Sequence, residues 1–273
     1  GNIGGVAVAI SIGGPGAAFW LFLAGFLGMS TKFVECTLGV KYRKSNADGS
    51  VSGGPMYYLE HCLSIRGYPG LGKLLGSFYA ISLVIGCFGI GNMFQSNQAY
   101  VQFLSITGGE SSFFADKGWL FGIILAGAVG LVIIGGIKSI AKAASKIVPS
   151  MAGLYLVAAL IILILSFDSI DDAFKLIIQS AFGLNSFAGG AIGALIIGFQ
   201  RSAFSNEAGM GTASIAHSAV ETNEPITEGL VSLLEPFIDT MVICTLTSLV
   251  IITTLYTDGS PFGDLEGIAI TSA

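Results

Sequence analysis

The stretch Phe199-Gln-Arg-Ser-Ala-Phe-Ser-Asn-Glu-Ala-Gly-Met-Gly211 is polar, charged and glycine-rich, although its surroundings are typical of membrane helices. Apolar residues rich in Gly and Ala precede it from 187 to 198, and small residues follow from 212 to 219. Arg201 and Glu207 are therefore expected close to bilayer depth, where insertion scales give a cost of about 2.5–3.5 kcal/mol for a charge. A cost of this size indicates that the stretch serves a function.

The composition is that of an integral membrane protein. Hydrophobic residues make up 53% of the chain and charged residues 11%, with a mean hydropathy of +0.80, whereas about a quarter of the residues in soluble domains are charged. Uncharged runs long enough to cross a bilayer as helices occupy residues 1–31, 74–109, 118–137, 147–167, 176–200 and 240–257. Because these runs are too long for barrel strands, we predict an all-α, multi-pass membrane protein.

Small residues four positions apart predict a tightly packed helix bundle, since they let helices approach closely in lipid. They form two sets: Gly122, Ala126 and Gly130, and Gly190, Ala194 and Gly198.

Several functional classes are excluded by what the sequence does not contain. The four cysteines lack the spacing of metal ligands, so neither a disulfide nor a zinc site is expected. The sequence has no hydrolase motif, no phosphate loop and no acid pair suited to hydrolysis. We therefore expect no enzyme activity, no cofactor and no nucleic-acid partner.

Basic residues predict the orientation of the spans. Lys41, Arg43 and Lys44 follow the second predicted span, residues 17–40, and mark its cytoplasmic end. The loop 45–73 is then cytoplasmic, and its Gly53-Gly-Pro-Met-Tyr-Tyr58 predicts a turn and a short interfacial helix. Later spans are predicted at 74–105, 119–137 and 147–166, then a sixth running inward through the opening stretch and a seventh at 226–254 that exits at Asp258, Asp264 and Glu266. A short surface helix is predicted at 173–182, before the sixth span.

The chain also begins with half a helix. Residues 1–12 are apolar and shorter than a span, and they end at Gly13-Gly-Pro-Gly16, where Gly and Pro stop a helix. This half-helix opens one unit of the chain, and the broken sixth span opens a second unit of opposite orientation. Two such units are the pattern of a transporter with inverted repeats. Because the second unit is incomplete and no initiator Met is present, we expect residues 1–273 to be one transmembrane domain cut from a longer protein.

The break in the sixth span is the first candidate site. Unwound backbone is tolerated in a membrane only where it faces a cavity or a ligand. Ser205 and Asn206 offer short oxygen donors, and either could cap the N-terminus of the following half-helix, with Glu207 in its first turn. The alternative is that Gly209 and Gly211 only allow close helix packing.

The start of the chain is the second candidate site. A half-helix N-terminus at Gly1 suits a carboxylate, and the side-chain oxygen of Asn2 suits Na⁺. On the third span, Gln95 is the preferred pocket residue of a polar face that also carries Asn92 and Gln98. The same face could instead bond to neighbouring helices.

Other charged residues have structural alternatives. Asp239 is placed to reach an ion or to pair with Arg201. Lys32 and Glu35 are three residues apart near a span end, so snorkelling and mutual pairing are expected. His217 is expected to be a hydrogen-bonded packing residue, with a proton relay as the alternative.

Six blocks of sequence resemble the signature of the alanine or glycine:cation symporter family, also called sodium:alanine symporters (AGCS). They are residues 1–7 (GNIGGVA), 13–20 (GGPGAAFW), 28–35 (GMSTKFVE), 53–58 (GGPMYY), 204–211 (FSNEAGMG) and 237–240 (FIDT). The resemblance covers essentially the whole chain. It implies a LeuT-type inverted-repeat bundle, here truncated to about the first seven transmembrane helices, with helices 1 and 6 broken.

This resemblance implies Na⁺-coupled symport of alanine or glycine by alternating access across the plasma (inner) membrane of a prokaryote. The implied partners are the amino acid, Na⁺ as coupling ion, and the lipid bilayer. A LeuT-type carrier with another substrate or proton coupling is one alternative, and a channel-like or structural bundle is a second. The structural bundle predicts continuous helices through both glycine-rich stretches.

We expect the substrate carboxylate to meet the half-helix N-terminus at Gly1, Asn2 and Ile3. Asn2 and Ser205 are expected to hold Na⁺, and backbone carbonyls around Phe204 to Asn206 to meet the substrate amine. Phe204 would limit the size of the substrate side chain, and Gln95 would line the pocket. Arg201, Glu207 and Asp239 are expected to brace the break rather than bind the ligand.

Overall fold

The computed structural model describes residues 1–47, 49–89, 91–183, 190–256 and 267–272. Its helices are α1 (Gly4–Gly13), α2 (Gly16–Lys41), α3 (Pro55–Ile65), α4 (Pro69–Gly89), α5 (Asn92–Ile106), α6 (Gly118–Ile133), α7 (Gly136–Leu165), α8 (Ile170–Phe182), α9 (Gly190–Asn206), α10 (Thr212–His217), α11 (Pro225–Ser232), α12 (Leu234–Pro236), α13 (Thr245–Leu255) and α14 (Ile268–Ser272). A π-helical stretch, Phe237–Cys244, joins α12 to α13, and short 3-10 turns lie at Gly109–Ser111 and Phe167–Ser169.

The fold is helical apart from one hairpin that the sequence did not predict. Strand β1 (Lys44–Ser45) pairs antiparallel with β2 (Val51–Ser52) in the loop after α2. Gly49 has φ +79° in the turn between them, and its N–H donates to the carbonyl of Asn46 at 3.1 Å. A left-handed glycine is what such a tight connection requires.

Within the described ranges, four helical segments are long and apolar enough to cross a membrane: Gly16–Lys41, Pro69–Ile106, Gly136–Leu165 and Pro225–Leu255. The helices Gly4–Gly13 and Gly118–Ile133 are apolar but shorter. The prediction of a multi-pass, helical membrane protein agrees with these segments. The predicted exit at Asp258, Asp264 and Glu266, and the beginning of the sixth run at 187–189, lie outside the described residues.

Helix α1 is the predicted half-helix. It ends at Gly13 because Gly14 has φ +71° and Pro15 follows. Most of its residues are buried, and it packs against α2, α9, α13 and α14. A short helix buried on several sides is suited to the inside of the bundle rather than to contact with lipid.

Helix α2 is the centre of the packing. It contacts α8, α9, α10 and α11, which all lie far from it in sequence. Glycines make these contacts close: a Cβ at Gly25 would lie 2.6 Å from Thr240 Cγ2, and one at Gly198 would lie 2.6 Å from the Cβ of Trp20. The part of the chain that carries the opening stretch is therefore built onto α2.

Only one of the two predicted small-residue sets makes such contacts. Ala194 and Gly198 are buried against α2, as expected. A Cβ at Gly122 or Gly130 would meet nothing within 4 Å among the described residues, so the prediction that this set packs a helix is wrong for this chain. Helix α6 has no buried residue and turns its apolar side chains outward.

The fifth span begins earlier than predicted. Helix α7 starts at Gly136 instead of residue 147, so Lys138, Lys142 and Lys146 lie on the helix and not in a loop. Lysine and alanine are good helix formers. Lysine can also keep its ammonium in water while its stem lies along an apolar helix.

Candidate functional site

Five residues interrupt the helix at the opening stretch. Helix α9 ends at Asn206 and α10 begins at Thr212. Between them Gly209 and Gly211 have φ of +92° and +81°, and Glu207 has φ +54°. Among the described residues Glu207 is the only non-glycine with positive φ, a conformation that costs energy and is concentrated at functional sites. The continuous helix expected of a purely structural bundle is thus not observed here.

The interruption lies three residues later than predicted, and its caps differ. Ser205 and Asn206 do not cap α10, because they form the last turn of α9. The Asn206 carboxamide oxygen accepts a hydrogen bond from the N–H of Ala208 at 3.0 Å, and its Nδ2 donates to Thr240 Oγ1 at 2.9 Å. Asn206 therefore ends the helix and ties it to the π-helical stretch.

Glu207 bridges the interruption as a brace. Its carboxylate accepts a short hydrogen bond from the hydroxyl of Thr212, the first residue of α10. The expectation that Glu207 lies in the first turn of α10 is wrong, because it precedes that helix in a left-handed conformation.

Lys32 and Glu35 do not form the exposed mutual pair that the sequence predicted. Lys32 is 1% exposed, and its Nζ donates to the carbonyl oxygen of Asn206 at 2.6 Å and pairs with Glu235. Glu35 is also buried, and the backbone N–H groups of Gly209 and Gly211 face its carboxylate. A lysine this deep does not snorkel, because its charge is satisfied inside the protein.

Asn2, Ser205 and Asp239 form a cluster that joins three distant parts of the chain. The Ser205 hydroxyl donates to Asp239 Oδ2 at 2.6 Å and lies 3.3 Å from Asn2 Oδ1. The Nδ2 of Asn2 donates to the backbone carbonyl of Asp239 at 3.2 Å. Thr240 adds a further hydroxyl, which donates to Asp239 Oδ2 at 3.0 Å. The two predicted half-sites, at Asn2 and at Ser205, therefore meet.

The π-helical stretch explains how Asp239 reaches this cluster. Pro236 has no N–H, so the regular helical hydrogen-bond ladder is broken directly before Phe237–Cys244. A π-helical turn is wider than an α-helical one and occurs often at functional sites. This π-helical stretch was not predicted from the sequence.

Arg201 does not pair with Asp239 among the described residues. Its guanidinium lies over the ring of Phe94 at 5.9 Å, and its buried Nε has no hydrogen-bond partner in the described chain. Phe94 in turn packs edge-on against Phe204, with ring centroids 5.5 Å apart. Arg201 and Phe204 thus contact the third span rather than the Asp239 cluster.

Gln98, rather than Gln95, contacts the start of the chain. Gln95 is exposed. The Gln98 side-chain oxygen accepts the Ile268 N–H at 2.7 Å and would lie 3.1 Å from a Cβ at Gly4. Of the three residues on the predicted polar face, Gln98 is thus the one seen to reach α1, one turn beyond Gln95.

A cavity of about 340 Å³ opens on one side of the interruption. Its lining comprises Lys32, Ser205, Glu207, Thr212, Ala213, Ala216, His217 and Glu235. His217 Nδ1 lies 2.5 Å from Glu228 Oε1, which agrees with the packing role expected for it. Since Ser205 belongs to both the cavity and the Asn2 cluster, the cavity leads directly to the cluster.

Residues on either side of the predicted cytoplasmic loop bind the segments that flank α10. Arg43 donates to the carbonyls of Ser218, Val220 and Thr222 at 2.9, 2.5 and 2.5 Å. Tyr79 donates to the carbonyl of Met210 at 2.8 Å.

Gly211 also meets Tyr79, since a Cβ there would lie 2.6 Å from the Tyr79 hydroxyl oxygen. Burial raises the pKa of Tyr58 on α3 to about 12. Arg43 and Tyr79 therefore form a structural clamp on the half-helix after the interruption.

Sequence reasoning missed the roles of Lys32 and Glu235. Both are ionisable residues within predicted spans, and an ionisable residue at membrane depth indicates a functional role. Their partners are about 200 positions apart in sequence, so the contact itself could not be found from local spacing.

Comparison with known proteins assigns the family. The profile described as "Sodium:alanine symporter family" matches residues 1–273. The "Sodium/alanine symporter AgcS" of Methanococcus maripaludis is 43% identical over 276 residues, covering 100% of this chain and 58% of its own. An "Uncharacterized transporter" of Haemophilus influenzae is 43% identical over 259 residues, covering 93% of this chain and 54% of its own.

The "Probable sodium/glutamine symporter GlnT" of Bacillus subtilis is 37% identical over 274 residues, covering 100% of this chain and 54% of its own. The chain thus spans about half the length of the curated relatives it matches. The match to the profile extends over every block that suggested the resemblance. We conclude that the chain belongs to the sodium:alanine symporter family.

Proposed function

We propose that this chain is the N-terminal part of the bundle of a transporter that couples uptake of alanine or glycine to Na⁺. The transporter would have a LeuT-type fold and work by alternating access in the plasma membrane of a prokaryote. The observation that carries the proposal is the cluster of Asn2, Ser205 and Asp239, which joins the start of α1 to the last turn of α9 and to the π-helical stretch.

The chemistry of the cluster suits a hard monovalent cation. Asn2 Oδ1, the Ser205 hydroxyl and the Asp239 carboxylate are all oxygens, and the carboxylate supplies a negative charge in a place where an unpaired charge is costly. Na⁺ sites of transporters are built from such oxygens where helices are interrupted. Asn2 and Ser205 are therefore the proposed Na⁺ ligands, with Asp239 now added to them.

The amino acid would lie beside the ion. Helix α1 begins at Gly4 without a side-chain cap, so the free N–H groups of its first turn could receive a carboxylate placed beside Gly1, Asn2 and Ile3. Backbone oxygens of residues 204–206, at the end of α9, would accept the ammonium group. Phe204, fixed against Phe94, would restrict the space for the substrate side chain, which favours alanine and glycine over larger amino acids.

Uptake into liposomes containing the full-length protein tests this function. Radiolabelled alanine, glycine and serine are offered under an inward Na⁺ gradient, under a proton gradient, and with choline replacing Na⁺. We expect Na⁺-driven accumulation of alanine or glycine and its loss in Asp239→Asn, with Glu60→Gln, which changes a half-exposed carboxylate on α3, as the matched control. Accumulation that ignores Na⁺ and follows the proton gradient would reject Na⁺ coupling in favour of the proton-coupled alternative.

A further inference from the structure

Lys32 and Glu35 lie one helical turn apart on α2 and face the interruption from the same side. Both are buried inside the protein, at 1% and 9% exposure. The two opposite charges stabilise each other at this depth, and each also has polar contacts with a different part of the interruption. Those contacts fall on opposite sides of Glu207.

Lys32 holds the end of α9. Its Nζ donates to the carbonyl of Asn206, the last residue of that helix, at 2.6 Å. Terminal carbonyls of a helix have no N–H of their own helix to accept from. A charged donor makes a shorter and stronger bond to such a carbonyl than a neutral donor does.

Glu35 faces the segment beyond Glu207. The N–H groups of Gly209 and Gly211 point towards its carboxylate, while its Oε2 has no hydrogen-bond partner within the described residues. The negative charge therefore depends on these backbone groups and on Lys32. Loss of that charge would weaken the contact that holds Gly209 and Gly211 on α2.

Lys32 also reaches the helix that carries Asp239. Glu235, its ion-pair partner, lies four residues before Asp239, which accepts the hydrogen bond from Ser205. Asn206, its carbonyl partner, directly follows Ser205. Two of the three polar side chains of the proposed ion site, Ser205 and Asp239, are thus within one turn of a Lys32 contact.

We propose that Lys32 and Glu35 are positioning residues for ligand binding, which hold the two sides of the interruption on α2 and so set the separation of Ser205 and Asp239. The inference rests on the proposed function in that the ligands positioned are the amino acid and Na⁺. Neither residue touches those ligands. Their charge, rather than their bulk, is what the interruption requires.

Charge-specific chemical rescue tests the role of Lys32. Lys32 lines the cavity, so a cysteine in Lys32→Cys can be alkylated with bromoethylamine, which rebuilds a side chain of lysine length with its ammonium. Bromoethanol adds the same length without the charge. Wild type treated with either reagent controls for the four native cysteines, and Lys142→Met controls for loss of an exposed lysine.

In Lys32→Cys we expect the apparent KM for the amino acid and the half-saturating Na⁺ concentration to rise at least about tenfold. Bromoethylamine should restore both to within about twofold of wild type, and bromoethanol should restore neither. Unchanged values in Lys32→Cys, or equal rescue by both reagents, would overturn the proposal. If Lys32→Cys does not assemble, the same measurements on Glu35→Gln test the inference. The apparent KM for the amino acid and the half-saturating Na⁺ concentration should both rise at least about threefold, and unchanged values reject the inference.

A second measurement does not depend on transport. Ala213 lines the cavity just after the interruption. The variant Ala213→Cys is made in a protein whose native cysteines have been replaced, and the rate at which a maleimide labels it is measured in detergent. Lys32→Met should raise this rate at least about fivefold, and Lys142→Met should not. If Lys32→Met alters the labelling rate but the wild-type protein takes up no amino acid, the proposed function is rejected and this inference is retained. If the wild-type protein takes up the amino acid but Lys32→Met leaves the labelling rate unaltered, this inference is rejected and the proposed function is retained.

Discussion

Replacing Ser205 by alanine removes one defined hydrogen bond from the proposed ion site. Its hydroxyl has one proton, and the 2.6 Å distance to Asp239 Oδ2 against 3.3 Å to Asn2 Oδ1 assigns that proton to Asp239. A hydrogen bond to a charged group contributes about 1.5–3 kcal/mol. Because both side chains are only half-buried, we expect about 1–2 kcal/mol, which corresponds to about 5- to 30-fold in affinity.

The assay is initial-rate uptake by the full-length protein in liposomes, with the amino acid and Na⁺ varied separately. In Ser205→Ala the KM for the amino acid and the half-saturating Na⁺ concentration should both rise by that factor. Ser30→Ala is the matched control, because the Ser30 hydroxyl is exposed and donates only to the carbonyl of Leu27. Wild-type values for both ligands in Ser205→Ala would refute the assignment of this cluster.

Three further predictions concern the parts that hold the site. Gly211→Ala should lower the melting temperature of the purified protein, since Gly211 has φ +81° and a Cβ would overlap Tyr79, while Gly127→Ala, in open space on α6, should not. An unchanged melting temperature in Gly211→Ala would contradict the described geometry. Arg43→Ala should speed proteolysis between residues 218 and 224, because three carbonyl bonds are lost, and Arg66→Ala on exposed backbone should not; equal rates in both would count against the clamp. Burial raises the pKa of Tyr58 from near 10 to about 12. The contribution of the protonated Tyr58 phenol to the stability of the folded protein is therefore complete below pH 10 and is lost as the pH rises to 12. Melting temperatures measured across this range should fall less in Tyr58→Phe, and parallel curves for both proteins would show that Tyr58 has no such effect.

Local chemistry in the sequence was enough to find the helices and the interruption. Hydropathy predicted the ends of the spans to within a few residues, except at the start of α7. The lysines there obey the positive-inside rule, but because lysine is also a good helix former the helix begins before them. Glycine and charge located the interruption, but not its edges. The sequence predicts that Asn206 is unwound. Its side chain instead accepts the Ala208 N–H, which allows α9 to continue to Asn206.

Contacts between distant segments were not predictable in the same way. Whether Asp239 meets Arg201 or Ser205 depends on the rotation of α9 and on the π-helical stretch after Pro236, and neither is encoded in residue spacing. The same holds for Lys32. Spacing on α2 suggested Glu35 as its partner, but the tertiary fold brings Asn206 and Glu235 closer to its ammonium.

The central place of α2 has a consequence for how the protein is made. Lys32 and its carbonyl partner on Asn206 are 174 residues apart, and chain synthesis at about 5–20 residues per second takes about 10–35 s to cover that distance. During this time Lys32 enters the membrane environment with Glu35 beside it on α2, but before Asn206 and Glu235 exist. We therefore expect the early intermediate to keep this ammonium near water or the insertion machinery until those later segments arrive.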